Sequence, residues 1–118
     1  MFDEILQSLQ DRLDGIRAVV LVDRDGMVVA SVGESGDSLE LIAASYMDLA
    51  RRAIATHREG ELGAPEELMA CGVESSVVFR AVTGDYGLLA VVGPRGILGR
   101  VRFELRKVSA RVRPELES

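Results

Sequence analysis

His57 is the only histidine of the chain and Cys71 the only cysteine, while three aspartates, Asp23, Asp25 and Asp85, stand in short polar segments between apolar runs. A Ser-His-Asp or Cys-His nucleophile would have to be assembled on His57. No G-x-S-x-G elbow and no H-E-x-x-H accompanies it, so it reads as a residue at the end of a helix. Cys71 lies in an apolar stretch with no basic neighbour in sequence, which predicts a small buried hydrophobe rather than a reactive thiolate. One cysteine also excludes an intrachain disulfide and a cysteine-based zinc site. Gly93-Pro94-Arg95-Gly96 precedes a helix, as an anion cradle would, but it lacks the Lys-Ser/Thr pair of a P-loop and Pro94 removes an amide. It reads as a turn. The aspartates fall in predicted hairpin turns, where bonding to the local backbone accounts for them. Neither a cofactor nor a metal is expected, and the chain lacks the equipment of an enzyme. Binding is what remains.

The elements that would position a binding surface follow from size and patterning. The 118 residues are 47% hydrophobic and 28% charged, which suits one globular domain over residues 1–118. No apolar run approaches the ~20 residues of a membrane span. The N-terminus, MFDEILQSL, is acidic and amphipathic, without a basic leader or cleavage site, so a cytoplasmic location is expected. The net charge of -5 argues against nucleic acid as a partner. From Arg95 to Arg113, however, seven basic residues face one acid, Glu104. This run reads either as a solvated helix face or as a dock for an acidic partner or anionic membrane. Val101, Leu105 and Val108 are assigned to the core, leaving little apolar surface for lipid, and a membrane role is not expected.

Helix periodicity covers Phe2 to Asp14, with Phe2, Ile5, Leu6, Leu9 and Leu13 on one face and Gly15 as a stop. Ala18–Val22 and Met27–Ala30 flank the turn Asp23-Arg24-Asp25-Gly26 and form a hairpin. The first run barely alternates, so both faces of that strand must be covered. A second helix runs from Ser38 to about Arg58. Further strands are expected over Glu67–Val73, Ser76–Val82 and Leu88–Val92. A third helix runs from Ile97 to about Val112 and is stopped by Pro114. The order α-β-β-α-β-β-β-α gives an α+β sandwich: a largely antiparallel five-stranded sheet with helices on both faces.

Two features call for a second copy of the chain. The apolar arc of the second helix, from Leu49 through Tyr46 and Ala43 to Ile54 and Met47, spans roughly 160°, wider than the ~100° stripe of a surface helix. Its surplus is expected around Ala44, Met47 and Ile54. The third strand carries Leu68, Met69, Ala70, Cys71, Gly72 and Val73 with no internal charge, the protection that an open edge strand would need.

The ordered set of these segments resembles the Roadblock/dynein light chain family. The likeness rests on the hairpin Val19-Val20-Leu21-Val22-Asp23-Arg24-Asp25-Gly26-Met27-Val28-Val29-Ala30-Ser31, the long Ala-rich helix Leu39–Ala55, the segment Gly84-Asp85-Tyr86-Gly87-Leu88-Leu89-Ala90-Val91-Val92, and Leu98-Gly99 opening a C-terminal helix. It covers essentially the whole chain. The resemblance implies a five-stranded sandwich that forms homodimers or heterodimers, third strands pairing edge to edge and second helices packing side by side. Carried onto this sequence, that interface would use Ala44, Met47, Arg51, Ile54, Leu68, Ala70 and Gly72. Bacterial members of the MglB type act on small Ras-like GTPases, and others are scaffold subunits of signalling complexes. The resemblance therefore implies a non-catalytic regulator of a GTPase, or a structural adaptor, with Asp48, Arg52 and Arg58 as candidate partner contacts. This chain is shorter than typical MglB proteins, and no residue in it is identifiable as an arginine finger.

Overall fold

A computed structural model of the chain describes residues 1–117. The elements run α1 (Phe2–Arg12), β1 (Ile16–Asp23), β2 (Val28–Gly33), α2 (Asp37–Glu59), β3 (Glu67–Ala70), β4 (Ser76–Ala81), β5 (Tyr86–Val92) and α3 (Leu98–Glu117). The strands form one sheet in the order β2-β1-β5-β4-β3, antiparallel at every pairing. The expected fold is borne out.

The continuous apolar run of β1 has the meaning its pattern predicts. Val19 and Leu21 point into a core closed by Leu6 and Leu9 of α1 and by Val101, Leu105, Val108 and Val112 of α3. Ala18, Val20 and Val22 point the other way, into a core closed by Leu39, Ala43, Met47 and Ala50 of α2. β5 divides likewise, with Leu88, Ala90 and Val92 on the first side and Leu89 and Val91 on the second. β1 and β5 pair through the middle of the sheet, so the two most apolar strands are the two covered on both faces.

Several boundaries differ from expectation, among them the end of β2, which runs to Gly33 and not Ala30. α1 ends at Arg12, with Leu13 already extended and Gly15 at a φ of 81°. β3 ends at Ala70, three residues early. α3 continues past Pro114 to Glu117. A proline that close to a helix end removes one backbone bond from the last turns. In return Leu116 packs on the core, and the Arg113 Nε donates to the Val82 carbonyl at 2.8 Å.

Gly15 holds the α1–β1 corner against the β5–α3 turn: its carbonyl accepts from the Gly93 N–H at 2.8 Å. A Cβ there would come within 2.3 Å of the Gly96 backbone nitrogen. Positive φ and backbone contact act together, so Gly15→Ala is expected to destabilise the fold by about 2–4 kcal/mol in urea unfolding, strain and displacement combined. A loss under ~0.5 kcal/mol, the range of ordinary surface changes, would refute that account of the corner.

Candidate functional site

A sheet of five strands in this order has two edges, β2 and β3, and they are unequal. On β2, Ala30 pairs Leu21 while Val28 pairs Val22, so Val29 is a bulge that interrupts the ladder. Bulges blunt an edge against further pairing. β3 has none. Glu67 through Ala70 pair Arg80 through Val77 in unbroken register, and the outer side of the strand carries no charge from Leu68 to Ala70. Its one acid, Glu67, is engaged within the protomer by Arg80 and Arg102. Leu68 rests partly buried on the α2-side core, Ala70 is exposed, and Met69 projects to the other side, also exposed.

The structure changes the reading of α2. Met47 is 4% exposed and belongs to the protomer's own core, so it is not free for a second copy. Ala44 is half-buried for a related reason. The β1–β2 turn closes on it so tightly that a Cβ on Gly26 would lie 3.0 Å from the Ala44 Cα. The turn covers this flank of the helix at Ala44. Large apolar side chains stand uncovered on the opposite flank, where Leu49 is 49% exposed, and on the outer face at Leu41. Ile54 sits half-buried in a recess formed with Ala50, Pro65, Leu68 and Phe79, beside β3. Arg51 is exposed.

Asp48 and Arg52 pair with each other at 3.2 Å on the solvent side of α2, an exposed contact of small energetic weight. Arg58 borders an open recess with His57, Glu61 and Ala64. These three candidate contacts do not form one cluster with the β3 edge. His57 is half-buried at the end of α2, its carbonyl accepting from the Leu62 N–H. Among the described residues no group of His, Cys, Asp or Glu is placed to hold a metal ion. The turn aspartates act on backbone: Asp23 Oδ1 accepts from the N–H groups of Asp25 and Met27, each at 3.0 Å. Asp85 faces Arg24 across the two hairpin turns at 3.5 Å.

Cys71 is exposed, not buried as its apolar surroundings in sequence predict. β3 stops before it because the chain must already turn: a Cβ on Gly72 would lie 2.2 Å from the Ser75 carbonyl oxygen. Gly72 is thus required by the turn to β4, and Val73 stands fully exposed at its tip. Sequence periodicity extends a strand as long as apolar residues last; it does not see a turn made by backbone proximity. Arg17 ties the turn down. Its guanidinium meets the Glu34 carboxylate in a two-bonded fork at 2.8 and 2.9 Å and donates to Ser75 Oγ at 2.9 Å. The fork lowers the Glu34 pKa, chiefly through the hydrogen bonds from Arg17, and raises that of Arg17.

The Roadblock/LC7 domain model matches residues 2–93, which leaves α3 outside the matched span. No curated protein matches the chain. Among solved structures, a Roadblock/LC7 domain from Streptomyces avermitilis superposes with a TM-score of 0.90 at 20% identity, covering 98% of each chain. MglB from Myxococcus xanthus gives 0.87 at 19% identity, over 98% of this chain and 94% of that one. The gliding protein MglB from Thermus thermophilus gives 0.84 at 21%, over 97% and 89%. At such identities the likeness establishes the fold.

The Arg17 fork makes a pH prediction. Because the folded Glu34 value lies below the unfolded one, its stabilising contribution is full above the unfolded value and is lost as pH falls through the folded value. NMR titration of the side-chain carboxyl should place Glu34 below an ordinary glutamate, and Arg17→Gln should raise it back. An unchanged midpoint in the variant would show that the fork does not persist in solution.

Proposed function

The chain belongs to the Roadblock/LC7 domain family, and on that premise we propose that it is a non-catalytic regulatory module of the cytoplasm. It pairs with a second copy through β3 and α2 and binds a small Ras-like GTPase, modulating its nucleotide cycle or its location. The observation that carries the reading is the inequality of the two sheet edges. β2 is bulged, whereas β3 is regular, uncharged along its outer residues and followed by the exposed apolar run Ala70 to Val73. An edge of this kind is a template for another strand.

A second β3 laid antiparallel on this edge continues the sheet, with Leu68 and Ala70 beside it and Arg51 and Ile54 on the helix above. Ala44 and Met47 take no part, and Gly72 serves the turn. No helix of the described residues is long and apolar enough to cross a membrane. The GTPase half of the reading draws on the MglB-like architecture. Arg52, Asp48 and Arg58, on the solvent side of α2 and at its end, are then contacts for the partner and not catalytic groups.

Light scattering should give twice the 12.8 kDa chain mass. Ala70→Lys should return a monomer with native circular dichroism and a cooperative thermal transition that no longer depends on protein concentration, whereas Met47→Glu would unfold the protomer itself. In the wild type, alkylation of Cys71 should slow as protein concentration rises through the dimer range. A wild type that stays monomeric at high concentration refutes the β3 interface. For the partner, a purified Ras-like GTPase from the same genome is loaded with GDP or with a non-hydrolysable GTP analogue. Co-elution in one state with an altered hydrolysis rate supports regulation. Co-elution with an unaltered rate makes the protein an adaptor, and no binding in either state overturns the GTPase reading.

A further inference from the structure

We propose that the outward face of α3 is a docking strip for an acidic helical segment of another protein, with Phe103 as its apolar anchor. The inference does not rest on the β3 dimer, since α3 lies on the opposite face of the sheet from α2.

The core side of α3 is fully used: Val101, Leu105, Val108 and Val112 are buried against the sheet and α1. Phe103 lies on the other side of the same helix, 58% exposed, with the Lys107 ammonium 5.2 Å from its ring centroid. At 100° per residue, Gly99 and Ala110 fall on the same outward lane as Phe103. A Cβ on Gly99 would meet nothing, and Ala110 is exposed, so another backbone can approach closely on either side of the ring.

Cations line the lane, and the protein treats them in two ways. Arg102 is held by Glu67, Arg113 by Val82 and Glu117, and Lys107 by Glu104. Arg100, Arg106 and Arg111 are exposed and make no ion pair among the described residues. An aromatic side chain held in water between unneutralised arginines has the composition of an interface centre, where aromatic residues and Arg are enriched.

The neighbouring helix selects the occupant. α1 packs on the same face of the sheet, joined to α3 by Arg12 and Glu104 at 3.8 Å, and its outward positions are Asp3, Glu4, Gln7 and Asp11. An anionic bilayer wide enough to cover α3 would be repelled by these acids. A second copy could offer the acids of its α1 to the arginines, but that surface is polar throughout and gives Phe103 no apolar seat. A single helix with an acidic flank and an apolar row is narrow enough to avoid α1 and satisfies both the ring and the cations.

The test uses a fluorescent synthetic helical peptide with glutamates flanking a leucine row, and its lysine-for-glutamate counterpart, in anisotropy titrations of the whole protein. The wild type should bind the glutamate peptide saturably at low salt and lose affinity as salt rises. Phe103→Ala, and the double variant Arg106→Glu with Arg111→Glu, should each weaken binding by about tenfold or more, the loss usual for a central contact. Both changes lie outside the core, so circular dichroism and the thermal transition should be unchanged. The Ala70→Lys variant should bind the peptide as the wild type does, which separates this strip from the dimer. Equal binding by Phe103→Ala, or by the lysine peptide, overturns the proposal. So does sedimentation with anionic vesicles that depends on Phe103, which would give the strip to a bilayer. A self-association abolished by Phe103→Ala would give it to a second copy and overturn the proposal equally.

Discussion

The two-sided burial of β1 and β5 is the constraint on which the rest of the molecule depends. Five strands spaced ~4.8 Å apart make a layer about 20 Å across, and a helix covers about 10 Å of it. Both faces must be covered because residues 18–22 and 88–92 are apolar on both sides. On one face α1 and α3 lie side by side and complete the layer. On the other there is only α2, which rests over the middle of the sheet and cannot also close the β3 side. The uncovered edge is therefore a consequence of counting helices against strands, and it arises at β3 because β3 is the strand farthest from the doubly covered pair β1 and β5.

This counting also explains what is legible in the sequence. The near-continuous apolar run of β1 predicts two covered faces, and the spacing of Val101, Leu105, Val108 and Val112 predicts which side of α3 is buried; both rest on periodicity within one element. The cover over the flank of α2 at Ala44 does not. A wheel gives the width of the apolar arc, but the β1–β2 turn arriving at Ala44 decides which flank is covered, and that turn belongs to a different element. Cys71 and Gly72 escape a sequence reading for a similar reason, since the strand ends where backbone atoms of residues 72 and 75 nearly touch. Sequence patterns predict what an element needs to bury and say little about which neighbour buries it.

Charge follows the same division. The net charge of -5 conceals a separation in which α1 presents acids and α3 presents arginines on one face of the sheet. Arg12 and Glu104 join the two sets, a base of α1 meeting an acid of α3 across their contact. The rest stay apart, and screening over roughly 8 Å in physiological salt keeps the two stripes electrically distinct at their outer surfaces.

The core assigns the two faces different tasks. α2 must serve both as the lid of its face and as a neighbour of the open edge, so substitutions along it act on folding and on association together; Met47 shows how easily the two are confused. α3 has separated them, with its valines and Leu105 inside and Phe103 outside, and nothing in the core depends on its outward residues. A dimer formed through β3 would carry two such strips on the side of the sheet away from α2. A partner offering two acidic segments would then gain from effective concentration in addition to contact energy. The helix that contributes least to the uncovered edge is in this way the one most free to recruit.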